Sequence, residues 1–266
     1  MNDNIEAAVA RLINDFYSKS DELKYINLND KKMYSGWVTD FHIYSKNCNE
    51  NSISLNLKNE TDLFLFFILI LAWSRTDNFE NAPFLIAYII LNGKNEIDYW
   101  KNNQNIIKEI NDRKTNAKNI GNITTGLKSR YKISFRKDIF ESIYILAQKW
   151  SDINKVLKDY SSQNDYIGFM KYINNISGLG CGKNSIFIKI PLILRELRCQ
   201  NVFNNIPGEL CCVIDDRVIK ACKIIGLDIP TRYNSINYLI NSSKIIYKYF
   251  GDLYDIPLFA YEDIYG

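Results

Sequence analysis

The stretch Ile173–Leu197, INNISGLGCGKNSIFIKIPLILREL, places glycines at 178, 180 and 182 between two apolar, helix-spaced runs. Such punctuation predicts a helix, a tight glycine-rich turn and a second helix starting near Lys183. Glycine tolerates positive φ and lets backbone come close to a neighbour or ligand. Amide groups at the start of the second helix, added to its dipole, would suit a phosphate oxygen. The spacing GLGCGKN is neither the GxxxxGK[ST] of a P-loop nor the GxGxxG of a dinucleotide fingerprint, and a helix, not a strand, precedes it. A plain turn between packed helices remains the alternative at this point.

The remainder of the chain points the same way. Only 12 Gly and 5 Pro are spread over 266 residues, too few for many short strands, and 47 % of residues are hydrophobic. The fold class expected is all-α. Helical periodicity runs through Ile5–Tyr17, Asp138–Leu157 and Ile236–Phe250, with Asp62 and Ser151 as expected N-caps. Residues 116–129, with Gly121 and Gly126, read as a loop. The longest apolar run, Leu63–Trp73, would span about 16 Å as a helix against a bilayer core of roughly 30 Å, so a buried core helix is expected. The opening MNDNIEAAVARLINDF lacks the basic and apolar regions of an export signal, and a cytoplasmic protein is expected. Six cysteines without a CxxC pair, and the single His42, argue for reduced thiols and against most zinc sites. His42 reads as a surface or packing residue.

The net charge is +3, but Lys101–Lys137 holds ten basic residues against Glu109 and Asp112, a local excess of eight positive charges. Such a stretch suits phosphates, or is simply a solvated face. Farther on, Ile206–Ile225, IPGELCCVIDDRVIKACKII, carries adjacent carboxylates at Asp215 and Asp216 opening an amphipathic helix. An aspartate there is commonly a cap.

Taken together, ISGLGCGKNS, VIDDRV and the upstream DLFLFFILILAWSRTD resemble, in order, the hairpin, aspartate motif and apolar helix of the helix-hairpin-helix DNA glycosylases. The likeness spans about Asp62–Leu227. The 32 positions from Lys183 to Asp215, the phenylalanine at 187 and the DxRV form of 215–218 look most like the archaeal 8-oxoguanine glycosylase branch. The resemblance implies a helix-hairpin-helix glycosylase fold with two helical lobes facing a cleft and residues 62–266 as its body; residues 1–61 lie outside the resemblance and are expected to form an N-terminal helical extension. It also implies a monomer acting on double-stranded DNA that contains a modified base, without membrane, metal or cofactor. The cysteine cluster of iron–sulfur relatives is lacking after Asp215, where only Cys222 follows.

The chemistry implied is flipping and excision of a base, such as 8-oxoguanine, with strand cleavage by a lyase step. Lys183 would attack the sugar through a Schiff base, and Asp215 would stabilise the cationic sugar. A lysine with an ordinary pKa of about 10.4 is protonated at pH 7, so its surroundings would have to lower it. Phe187 and Tyr261 or Tyr265 would line the base pocket, with ordinary packing as the alternative for the tyrosines, and Trp73 reads as a core residue or else a wall of that pocket. Ser74 stands where that branch has a glutamine, which removes the match on which 8-oxoguanine specificity rests. Gly178, Gly180, Gly182, Arg75, Lys128 and Arg130 would contact DNA. Two alternatives stand beside this one: a defence or restriction glycosylase acting on normal or phage-modified bases, and a non-catalytic helix-hairpin-helix DNA-binding protein.

Overall fold

A computed structural model describes residues 2–19, 40–45, 48–73, 86, 89–90, 93–102, 104–105, 108, 137–180, 189–203, 205–230 and 235–266. By internal contacts the chain divides into one unit of residues 1–35, 160–174 and 181–266 and another of 36–159 and 175–180.

In the first unit, α1 (Asn2–Lys19) turns Val9, Leu12 and Phe16 inward and packs on three elements near the other end of the chain. These are α8 (Ile236–Phe250), α9 (Ile256–Phe259) and α10 (Tyr261–Tyr265). Lys19 donates to the Ile264 carbonyl, and Tyr265 hydroxyl to Asp15. The unit also contains α5 (Tyr166–Asn174), α6 (Ile190–Cys199) and α7 (Asp216–Ile224). Helix α8 has the bounds its periodicity predicts, and Ser235 caps it by accepting from Tyr238 N–H. Every side chain from Ile190 to Leu197 is buried, so α6 is a central helix of this unit.

The second unit is built on α2 (Glu60–Trp73), whose residues Leu63–Leu71 are all buried. This is the core helix expected from the apolar run, and among the described residues no helix is long and apolar enough to cross a membrane. Phe64 and Phe67 meet Trp150 edge-on, at centroid distances of 5.2 and 5.1 Å. Trp150 lies on α4 (Lys137–Ser162), a 26-residue helix whose end, from Tyr160, counts with the first unit. A short helix, α3 (Ile97–Trp100), also belongs to this unit.

Three local expectations are corrected. The cap of α2 is Asn59, whose side-chain oxygen accepts from Thr61 and Asp62 N–H, while Asp62 itself accepts from Asn56 N–H. Ser151 is no cap: α4 runs straight through it, because Trp150, Ile153 and Leu157 continue one buried stripe. Within the stretch expected to be a helical extension, β1 (Asp40–Ser45) and β2 (Cys48–Ser54) form an antiparallel hairpin pairing Phe41 with Ile53 and His42 with Ser52. All other regular elements among the described residues are helical.

Candidate functional site

The glycine turn begins where α5 ends. Leu179 and Gly180 N–H both donate to the Ile176 carbonyl, at 3.0 and 3.1 Å. Gly178 holds φ +87°, a region L side chains avoid, and a Cβ there would stand 2.6 Å from Ile145 Cδ1. Ser142 hydroxyl donates to the Gly178 carbonyl at 2.9 Å. Glycine at 178 is thus required by backbone conformation and by close packing on α4. Gly180 commits its amide inside the turn. The second hairpin helix, expected near Lys183, is described only from Ile190, with Lys189 as its N-cap residue and Pro191 in its first turn.

Asp215 is the site residue whose setting is fullest. The chain approaches it as a segment without regular structure, with Cys211, Cys212, Val213 and Ile214 buried. Two side chains pin that segment by its amides: Ser243 hydroxyl accepts from Cys212 N–H at 3.0 Å, and Asp255 carboxylate from Val213 N–H at 2.8 Å. Asp255 is itself held by Arg195 at 2.9 Å, each side chain 6 % exposed. Burial pushes the Asp255 carboxyl above its ordinary range, while the Arg195 guanidinium and the Val213 amide pull it back. An uncompensated charge at that depth would be costly, so the pair and the amide bond depend on each other.

From this anchored segment Asp215 opens α7 as its N-cap, one carboxylate oxygen accepting from Val218 N–H at 3.1 Å. The other oxygen lies 3.2 Å from Lys189 Nζ. Both side chains are largely covered, 15 % exposed for Lys189 and 20 % for Asp215. Residue 216, the neighbouring carboxylate, is exposed in the first turn of the same helix. Arg217 then reaches α10, pairing with Asp263 at 2.9 Å and Glu262 at 3.4 Å and lying over the Phe259 ring at 4.6 Å. Tyr261 and Tyr265 therefore sit on a helix packed against α7, with ring centroids 4.7 Å apart. The Tyr265 hydroxyl is taken by Asp15.

The structure thus brings Asp215, Tyr261 and Tyr265 into one unit, and adds Lys189, Arg195 and Asp255, which the sequence reading missed. Trp73 ends α2 in the other unit. Lys183, Phe187, Gly182, Ser74, Arg75, Lys128 and Arg130 lie outside the described residues, as does the loop expected at 116–129. A cleft of about 290 Å³ in the second unit is lined by Glu60, Asp98, Lys101 and Trp150 and by none of the expected site residues. Among the described residues no group of three or more His, Cys, Asp or Glu is placed to hold a metal ion. Cys199, Cys211, Cys212 and Cys222 are free thiols.

No protein-family model, no curated protein and no solved structure matches the chain.

Proposed function

We propose that the chain is a DNA N-glycosylase with an associated lyase step, which flips a modified base such as 8-oxoguanine out of the duplex and excises it. The observation that carries this reading is Asp215: a carboxylate fixed at the start of a helix, mostly withdrawn from water yet still partly open. A carboxylate so placed can stabilise the positive charge that develops on the deoxyribose as the glycosidic bond breaks. Withdrawal from water strengthens that interaction, and the anchored segment 211–215 spares the site reorganisation.

In this reading the neutral Lys183 amine attacks the sugar C1′ and the base departs with the electrons of the glycosidic bond, taking up a proton. The attached nitrogen gives up one of its two protons, and as its lone pair forms the C=N bond the C1′–O4′ bond breaks and O4′ takes up a proton, leaving a protonated Schiff base. Loss of a C2′ proton then expels the 3′ phosphate by β-elimination, which cuts the strand. One amine and one carboxylate suffice for the sequence. The hairpin and the basic stretch Lys101–Lys137 would hold phosphates, which position the duplex without reading sequence.

The test is borohydride reduction of the full chain with a panel of duplexes, each carrying one modified base. The parent protein is expected to trap a covalent adduct with at least one of them, and Lys183→Gln with none. Asp215→Asn is expected to lose turnover by a factor on the order of 100 or more while keeping duplex affinity, and Asp216→Asn to keep both. A Lys183→Gln protein that traps at the parental rate refutes the assignment of the nucleophile.

A further inference from the structure

Asp215 has two carboxylate oxygens, and capping α7 engages only the one that accepts from Val218 N–H. The second is engaged by Lys189, which serves no capping purpose. Most other ion pairs among the described residues lie near the surface, as in Lys101–Asp98 and Lys244–Glu209, where water weakens them. The buried Arg195–Asp255 pair has a visible structural task, since Asp255 also fixes the Val213 amide. Lys189–Asp215 is also largely covered, at 15 % and 20 % exposure, and its task is unassigned.

We propose that Lys189 is a positioning residue for Asp215, holding the second carboxylate oxygen at 3.2 Å so that the carboxylate plane is fixed before the sugar arrives. The proposal rests on the glycosylase reading above. Two donors on different oxygens, the Val218 amide and the Lys189 ammonium, remove the rotation that a carboxylate with one donor keeps. An ionised carboxylate offers about four lone-pair sites, so about two stay open toward a substrate. Lys189 sits at the N-terminal boundary of α6, one residue before a buried run, so its backbone is as well anchored as the carboxylate it holds. Its ammonium opposes positive charge on the sugar, but each carboxylate oxygen keeps about one lone pair not engaged by Lys189 or Val218, and the Asp215 side chain stays 20 % exposed. Misplacement of a reacting group by about 1 Å is enough to cost roughly 100-fold in rate, which makes orientation the larger effect.

The experiment measures single-turnover excision, borohydride adduct formation and duplex affinity for Lys189→Met, Lys189→Gln, Lys189→Arg and Lys183→Gln, each checked for folding by circular dichroism. Methionine keeps the apolar stem and removes the charge. Lys189→Met is expected to slow excision on the order of 100-fold while affinity stays within about threefold of the parent. Lys189→Gln, a neutral donor of shorter reach, is expected between the two and stands in if the methionine variant does not fold. Lys189→Arg is expected to recover to within about tenfold of the parent, because a guanidinium still donates to the carboxylate yet forms no Schiff base. Parental excision by Lys189→Met or Lys189→Gln overturns the proposal. Loss of trapping in Lys189→Arg, with trapping retained in Lys183→Gln, also overturns it and makes Lys189 the nucleophile. A parent protein that traps on no duplex removes the glycosylase reading and this inference with it, an outcome separate from the other two.

Discussion

Arg195 and Asp255 form an ion pair whose two halves should respond unequally to removal. Both are 6 % exposed, 2.9 Å apart, and Asp255 also accepts from Val213 N–H at 2.8 Å. Asp255→Asn keeps an acceptor for that amide but leaves a guanidinium that cannot shed its proton without its carboxylate. Breaking a buried pair in this way costs about 3–5 kcal/mol. Arg195→Met leaves a carboxylate instead, and a carboxylate can be neutralised by taking up a proton. Burial already raises the Asp255 carboxyl, and losing the guanidinium that lowers it lets the rise proceed further. A group whose folded pKa exceeds its unfolded value contributes stability fully below the unfolded value, near 3.9, and loses it as pH rises through the folded value. The penalty of Arg195→Met should therefore shrink as pH falls, by at most about 1.4 kcal/mol per pH unit, or up to about 3 kcal/mol between pH 7.5 and 5. Asp255→Asn should show no such recovery. Urea unfolding of parent and both variants at pH 5, 6 and 7.5, followed by far-ultraviolet circular dichroism, measures each penalty against the parent at the same pH. An Arg195→Met penalty that is flat across this range refutes the argument.

Two further outcomes follow from the described geometry. Gly178→Ala should destabilise the protein by about 2–4 kcal/mol, combining backbone strain of about 1–2 at positive φ with overpacking against Ile145. Adding Ile145→Val, which removes the crowding Cδ1, should recover the overpacking part only; full recovery in a urea-unfolding cycle would show that φ carries no cost. Burial pushes the Cys211 and Cys222 thiols up to about 12, so at pH 8 only about one in 10⁴ is a thiolate. Site-resolved mass spectrometry after iodoacetamide should find both unlabelled in the native protein and labelled in urea, and native labelling within minutes would contradict their burial.

Local periodicity was the part of the fold that the sequence disclosed best. Ile236–Phe250 carried one apolar stripe, a serine cap before it and glycine after it, and α8 has those bounds. Ser151 misled because Ser-Asp is a cap signature only where a helix begins, and the buried stripe through Trp150, Ile153 and Leu157 shows none beginning there. The hairpin at 40–54 was missed because scarcity of Gly and Pro argued against strands, yet its link, Lys46–Asn47, uses neither. Asp215 was readable as a cap from its place before an amphipathic helix. Its supports were not, since Lys189–Asp215, Asp255–Val213 and Arg195–Asp255 join positions 26, 42 and 60 apart. No local pattern encodes such pairings. Lys189 offered only a faint signal, a lysine just before the Ile-Pro that starts α6.

The packing of α1 on α8, α9 and α10 has a consequence for the order in which the chain is made. Asp15 and Tyr265 are 250 positions apart. At about 5–20 residues per second, a ribosome takes roughly 12–50 s to supply the partners of the first helix, whereas a helix itself forms within about a microsecond. During that interval the stripe of Val9, Leu12 and Phe16 lacks the cover of α8, α9 and α10 and is a surface for chaperones or for other nascent chains. The contacts of α1 with these helices therefore wait for α8–α10 to be made, and a chain truncated before α8 leaves α1 without them.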